Sequence, residues 1–291
     1  MQRLSLLLYR LACAVGRPVG GIRPRRIYDF LGRRAFSAPE FIWYRNRWGA
    51  ELYLSHYYHI DRNILNFGCY DENLHLAIER LVRPGMVCFD VGANLGEMAL
   101  HMAMRTGPAG VVHAFEPVPA VFERLKNHVE RNRLQNIRMH SLALSDRNGT
   151  CTIASADATS DNQGLGSIVN TNEIIVPVRQ EIQAQTLDDF VSQQHIDRID
   201  LIKIDIQGAE MLLLEGGNQV FTNLSPDILI EISPTDLAQG GFNSRDVCCL
   251  IERYGYGIYA LKAGAIGRRI IASGVSPNFN ATNVFCSKKP V

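Results

Sequence analysis

Residues 87–261 of this 291-residue chain are organised by five short apolar runs, each closing in or beside an acid. They are Val87-Cys88-Phe89-Asp90, Val111 to Glu116, Ile137 to Leu144 with Asp146 just beyond, Asp200 to Asp205, and Asp227 to Ile232 with Glu231 near its end. Runs of this length and composition, bounded by turn residues, read as buried strands. An acid inside an apolar run is costly to bury unless it is paired. Acids scattered over a surface would not keep this phase with the strands. The spacing therefore predicts a sheet whose strand ends deliver carboxylates to one rim.

Helical segments separate the runs. Leu74 to Leu81, Glu97 to Arg105, Pro119 to Asn132, Leu187 to Gln193, Gly208 to Glu215 and Arg245 to Tyr254 carry the pattern. Pro119 sits where a missing N–H costs little, and Gly216-Gly217 ends the fifth of them. Strand–helix alternation predicts a parallel sheet covered by helices. Residues 147–185 break the rhythm with Ser, Thr, Asn, Asp and Gly. They read as an inserted hairpin, with strand pieces at Cys151–Ala154 and Ile174–Val178 and a mobile loop around Gly164-Leu165-Gly166; a lid and a plain surface loop are both open readings. Gly257 to Leu261 and Asn283 to Ser287 are expected to close the sheet as a hairpin-like pair. No internal repeat is present.

The N-terminal part differs. Residues 1–36 carry eight arginines against Asp29 alone. A helix there would set Arg3, Arg10 and Arg17 near one face. That face suits an anionic membrane surface, or it belongs to a helix docked on its own domain with solvated arginines. Residues 41–70 are aromatic, with a strand expected in Trp48 to Leu54; they either line a substrate pocket or pack on the main domain. The expected division is a basic and aromatic extension, 1–69, and a main domain, 70–291.

Composition excludes several classes. Net charge is +1, so the chain as a whole has no electrostatic footprint for nucleic acid. Seven cysteines without a CxxC pair argue against zinc and against a disulfide framework. Reduced core thiols and a cytoplasmic setting, with membrane association through residues 1–36 as an addition, fit better. No apolar run is long enough to span a bilayer, and arginines interrupt what would otherwise mimic a signal peptide.

The chemistry centres on Asp90-Val91-Gly92-Ala93-Asn94-Leu95-Gly96. Ligands of open α/β sheets bind beyond the carboxyl ends of the strands, where strand order reverses. A glycine turn entering a helix offers backbone N–H groups to an anion. Glu116, twenty-odd residues on, can accept from both ribose hydroxyls of a nucleoside. Dinucleotide binders want GxGxxG, and this turn is GxxxG. S-adenosylmethionine, with a carboxylate and an ammonium, is the other candidate. Asp90 either meets that ammonium or braces the turn.

Four motifs carry a family resemblance. They are the stretch just quoted, Phe115-Glu116-Pro117, Thr186-Leu187-Asp188-Asp189-Phe190, and Ile202-Lys203-Ile204-Asp205-Ile206-Gln207-Gly208-Ala209-Glu210. In this order they resemble the FkbM family of class I methyltransferases over residues 70–262. The resemblance implies a Rossmann-like, mostly parallel seven-stranded sheet with helices on both faces, and S-adenosylmethionine as donor. It also implies a hydroxyl acceptor on a sugar, glycolipid or polyketide. Asp90, Gly92, Asn94, Gly96 and Glu116 would face the cofactor, with Asp146 near adenine. The family often has glutamate where Gln207 stands; the amide keeps shape and loses charge.

An alcohol must lose its proton to attack a methyl group, so a base is needed. Asp205 is the first candidate and Glu231 the second, while Lys203 pairs with one of them or contacts substrate. A structural salt bridge is the plain alternative for each. Mg²⁺ held by two strand-end acids is a less favoured reading, and no metal ligand set is assigned. The eight histidines show no ligand spacing, and His113 and His140 read as core or edge residues. Rival functions are a non-catalytic adaptor on a decayed methyltransferase domain, supported by Gln207, and an NAD-dependent oxidoreductase, which the missing GxGxxG disfavours. Acceptor specificity is expected from 41–70, 147–185 and 233–244.

Overall fold

The computed structural model describes residues 39–155, 166–168 and 178–290. The arginine-rich segment 1–36, with its membrane reading, lies outside them. The chain divides into two units, with a boundary between Asp71 and Glu72.

In the first unit, β1 (Phe41–Arg45) and β2 (Glu51–Ser55) form an antiparallel hairpin, and α1 (His59–Phe67) follows. The hairpin turns at Asn46, whose Oδ1 accepts from the amides of Trp48 (3.1 Å) and Ala50 (2.9 Å). Trp48 thus belongs to the turn, and the strand expected from it begins at Glu51. Trp43 and Tyr53 face each other across the strands with ring centroids 5.0 Å apart. The buried Asp61 of α1 ties back to β2 by accepting from the amide of Ser55 at 2.9 Å.

The second unit contains α2 (Glu72–Leu81), β3 (Val87–Val91), α3 (Glu97–Thr106), β4 (Val111–Phe115), α4 (Pro119–Asn132) and β5 (Ile137–His140). After them come β6 (Ala143–Ser145), β7 (Gly149–Ser155), β8 (Gly166–Ile168), β9 (Val178–Thr186) and α5 (Leu187–Gln193). The chain continues through β10 (Leu201–Ile204), α6 (Glu210–Gly216), β11 (Asp227–Ile232), α7 (Pro234–Gln239) and α8 (Ser244–Arg253). It ends with β12 (Gly257–Lys262), β13 (Ala265–Ile270) and β14 (Ala281–Ser287). The main sheet has the order β13-β12-β14-β11-β10-β3-β4-β5. The pairs from β11 to β5 are parallel, and β14, β12 and β13 are antiparallel.

Every residue of β10 is buried, as a strand covered on both faces requires. On one face Phe89, Val91, Ile202, Ile204, Ile228 and Ile230 pack in one core with residues of α5, α6 and α8. On the other, α3 packs on β3 and β4. Helix starts follow local chemistry: Thr186 Oγ1 accepts from the amide of Asp189 at 3.1 Å, and Asn243 Oδ1 accepts from Arg245 and Asp246.

Three sequence expectations need correction. The main sheet has eight strands rather than seven, because β13, which falls between β12 and β14 in sequence, pairs antiparallel with β12 as an added outer edge. β12 and β14 do pair. The third apolar run is two strands, not one: β5 belongs to the main sheet, while β6 pairs with β9 in a second, four-stranded sheet of order β6-β9-β7-β8. The sequence holds the reason. Ile137 and Met139 alternate in one phase, Leu142 and Leu144 in the other, so one continuous strand could not bury both pairs. Third, the insertion is part of that four-stranded sheet rather than a lone hairpin. Gly164, Leu165 and most of the expected strand Ile174–Val178 lie outside the described residues.

Candidate active site

The chain leaves β3 outward through β4 to β5 and then returns to β10 on the opposite side of β3. The carboxyl ends of β3 and β10 therefore flank the point where strand order reverses, where a ligand crevice forms. Asp90 and Lys203 are register partners in these strands. Lys203 Nζ lies 3.0 Å from Asp90 Oδ1, donates to Gly92 O at 2.9 Å and stands 3.7 Å from Asp205 Oδ2. Asp90 is fully buried and Lys203 nearly so. Burial pushes Asp90 upward against the pull of the Lys203 ammonium. Burial works to lower Lys203, but the charges of Asp90 and Asp205 outweigh it and hold the ammonium above the usual lysine value. Asp90 is thus joined to the turn through Lys203. Lys203, expected to pair or to touch substrate, pairs and anchors the turn from beneath.

Gly92 shows why the turn needs glycine. Its φ is +74°, and a Cβ there would sit 1.8 Å from the carbonyl oxygen of Asp205. The two turns at the ends of β3 and β10 press together at this point. Gly96 opens α3 at φ +92°, where a Cβ would meet Leu125 Cδ1 at 2.4 Å. Asn94 also has positive φ, at 52°, and its Oδ1 accepts from the amide of Leu95 at 2.7 Å.

Glu116 stands just past β4 and is buried. Its Oε2 accepts from the amide of Asn94 at 3.0 Å and its Oε1 from the amide of Val118 at 2.9 Å. The carboxylate is thereby oriented and tied to the glycine turn. Burial raises it to about 7, against the lowering effect of those two amides. A carboxylate has about four acceptor sites, so each oxygen retains capacity for a further donor. Two neighbouring hydroxyls match that capacity, and the residues present fit a ribose.

Beyond β10, Gln207 Nε2 donates to Asp205 Oδ1 at 3.0 Å. Glu210 Oε1 accepts from the amides of Ile206 and Gly208, both at 3.2 Å, and closes the turn. Gly208 has φ +101° and is pressed on α7, where a Cβ would lie 2.2 Å from Asp236 O. Glu231, half-buried near the end of β11, hydrogen-bonds Asp205. Burial first, then the Asp205 charge, that bond, and the charges of Glu210 and Asp236 push Glu231 up to about 9. Burial likewise raises Glu210 to about 7.

Asp90, Gly92, Lys203, Asp205 and Glu231 form one connected group, and Asn94 and Glu116 adjoin it through the glycine turn. Asp146 is in neither set. It follows β6 in the smaller sheet, where Ser145 Oγ donates to its Oδ1 at 3.1 Å. Gln207 keeps the hydrogen-bonding role expected of its amide, while the closing of this turn by Glu210 was missed; the signal was an acid two residues after Gly208. His113 and His140 stack at 3° with Nδ1 to Nε2 at 3.1 Å, and burial holds both near 4. They are neutral packing residues, as expected. Among the described residues no group of three or more His, Cys, Asp or Glu side chains is arranged to hold a metal ion. The six cysteines described are all free thiols.

An open α/β sheet with a glycine turn at its switch point and a buried acid at the next strand end is an arrangement that suits a nucleoside ligand. The family profile described as Methyltransferase FkbM domain matches residues 90–258. The chain belongs to that family of methyltransferases. It is similar to Methyltransferase 1 of Beauveria bassiana, 28% identical over 161 residues that span 49% of this chain and 63% of that one. It is also 28% identical to the 31-O-demethyl-FK506 methyltransferase FkbM of Streptomyces tacrolimicus, over 68% of this chain and 81% of that one. The 2-O-methyltransferase NoeI of Sinorhizobium fredii is 26% identical over 61% of this chain and 75% of that one.

Proposed function

We propose that this methyltransferase transfers its methyl group to a hydroxyl of a small molecule of sugar, glycolipid or polyketide type. The observation that carries this is the carboxylate of Asp205 just past β10, held by Gln207 Nε2 at 3.0 Å and facing Lys203 Nζ at 3.7 Å beside the Gly92 turn, an acceptor for a hydroxyl proton. Two relatives whose names specify O-methylation, of demethyl-FK506 and at a 2-O position, point the same way.

When bound, S-adenosylmethionine supplies a methyl group made electrophilic by the sulfonium. Glu116 accepts from the ribose hydroxyls, and the glycine turn, braced by Asp90 and Lys203, lets the ligand approach the backbone. Asp205 would accept the acceptor's hydroxyl proton as the oxygen–methyl bond forms and the sulfur–methyl bond breaks, with S-adenosylhomocysteine as the leaving group and the proton passing on to solvent. Positioning an oxygen behind the methyl contributes several kcal/mol of the barrier reduction, and a base in hydrogen-bond reach typically adds about 10²–10⁴-fold.

Methyl-labelled S-adenosylmethionine incubated with a panel of glycosides, glycolipids and polyketide alcohols tests the reading. Label in a hydroxyl oxygen's methyl group supports it. Label transferred only to nitrogen or carbon acceptors overturns it.

A further inference from the structure

Helix α4 begins at Pro119, just after Glu116, and two of its side chains bear on the peptide that joins Leu95 to Gly96. Leu125 and His128 stand three residues apart and so share one face of the helix. Leu125 Cδ1 fills the space that a Cβ on Gly96 would need, 2.4 Å from it. His128 Nδ1 lies 2.7 Å from Leu95 O. A carbonyl oxygen can only accept, so Nδ1 carries a hydrogen and donates it. Both side chains are buried. The N–H of the same peptide donates to Ala93 O at 2.9 Å. The Leu95–Gly96 peptide is therefore held at both poles, its oxygen by α4 and its N–H within the turn. One residue earlier, the amide of Asn94 donates to Glu116 Oε2 at 3.0 Å. The segment 116–128 thus grips the glycine turn twice, once from each of its ends.

We infer that His128 is a positioning residue for the cofactor: its Nδ1–H fixes the Leu95 carbonyl and so keeps the glycine turn in register with the Glu116 carboxylate. A nucleoside cofactor with an amino-acid tail spans these two elements, and their spacing has to match it. Lys203 holds the turn where the chain enters it, at Gly92 O. His128 holds it where the chain leaves for α3. Without the imidazole donor, the buried Leu95 carbonyl would have to turn toward another partner, and the backbone that meets the ligand would turn with it. The inference rests on the reading of the glycine turn and Glu116 as the cofactor seat.

Titration calorimetry of S-adenosylhomocysteine into the full chain tests it, on variants that circular dichroism shows to be folded. Asn presents an amide N–H where His carries Nδ1, and Gln presents one where His carries Nε2. His128→Asn should bind within about threefold of wild type, whereas His128→Gln and His128→Leu should bind about tenfold more weakly. A ring that merely fills space would give the opposite order, since Gln and Leu replace its volume better than Asn does. In the wild type, nitrogen–proton correlation spectra should show a hydrogen on His128 Nδ1, a readout that needs no variant to fold. A bare Nδ1, wild-type affinity in His128→Leu or His128→Gln, or a loss in His128→Asn equal to theirs overturns the inference. Its failure is separable from that of the cofactor reading, which falls if wild type does not bind S-adenosylhomocysteine or if Glu116→Ala binds it as tightly.

Discussion

Asp90 and Lys203 stand opposite each other in adjacent parallel strands, and their carboxylate and ammonium meet at 3.0 Å with both side chains shut off from solvent. The same ammonium holds Gly92 O at 2.9 Å. One buried ion pair therefore fixes the turn on which the cofactor site is built.

Removing one partner should be far worse than removing both. Lys203→Met strands the Asp90 carboxylate in the core, and breaking a buried pair in this way costs about 3–5 kcal/mol. The double variant Asp90→Asn, Lys203→Met should recover a large part of that loss. Urea unfolding followed by circular dichroism measures both. A single variant as stable as wild type would show that the pair is dispensable.

Gly92→Ala should damage fold and site together. A non-glycine residue at positive φ costs about 1–3 kcal/mol, and the added carbon would have to displace the Asp205 carbonyl. Unfolding and S-adenosylhomocysteine calorimetry should both register the change. A variant with wild-type values in both would mean that the two turns can separate freely.

The five acids were legible because each interrupts an apolar run at its carboxyl end, where burial without a partner is costly. α4 was legible to the residue, since Pro119 marks its first turn and Ile137 opens the next strand soon after. The pairing of Lys203 with Asp90 was not: the two lie 113 residues apart in sequence, and only strand register joins them. Asp146 follows β6 rather than β5, because the phase change between Met139 and Leu142 is a single-residue shift inside one apolar stretch. β13, with Arg268 and Arg269 exposed, has no apolar alternation to announce it; its place comes from pairing with β12. α7 spans six residues, too few for periodicity to register.

Stability should decline as pH drops from about 6.5 toward 4. His113 and His140 are held near 4 by burial, with His140 and Arg138 adding to the effect on His113. The unfolded chain therefore takes up their protons first, and the unfolded state gains on the native one throughout that window. The loss is at most about 3 kcal/mol per histidine, and smaller to the extent that solvent screens the partly exposed rings. His113→Phe with His140→Phe should flatten the thermal-midpoint profile between pH 6.5 and 4.5. An unaltered slope would assign the acid sensitivity to other groups.

Asp205→Asn should lower turnover by about 10²–10⁴-fold while leaving S-adenosylhomocysteine affinity within a few-fold of wild type. The acceptor found by methyl labelling supplies the assay. Undiminished turnover would remove Asp205 as the base, and Glu231 would be tested next by the same comparison.

Titration calorimetry of S-adenosylhomocysteine into wild type and Glu116→Ala at pH 8 and pH 6 tests the cofactor rim most directly. Wild type should bind more tightly at pH 8, since Glu116 titrates near 7 and hydroxyl donors prefer its ionised form. Glu116→Ala should bind at least about tenfold more weakly at pH 8, as expected when charge-assisted bonds of about 1.5–3 kcal/mol are removed, and should lose the pH dependence. Equal affinity in the two proteins at pH 8 would contradict the placement of the ribose at the end of β4.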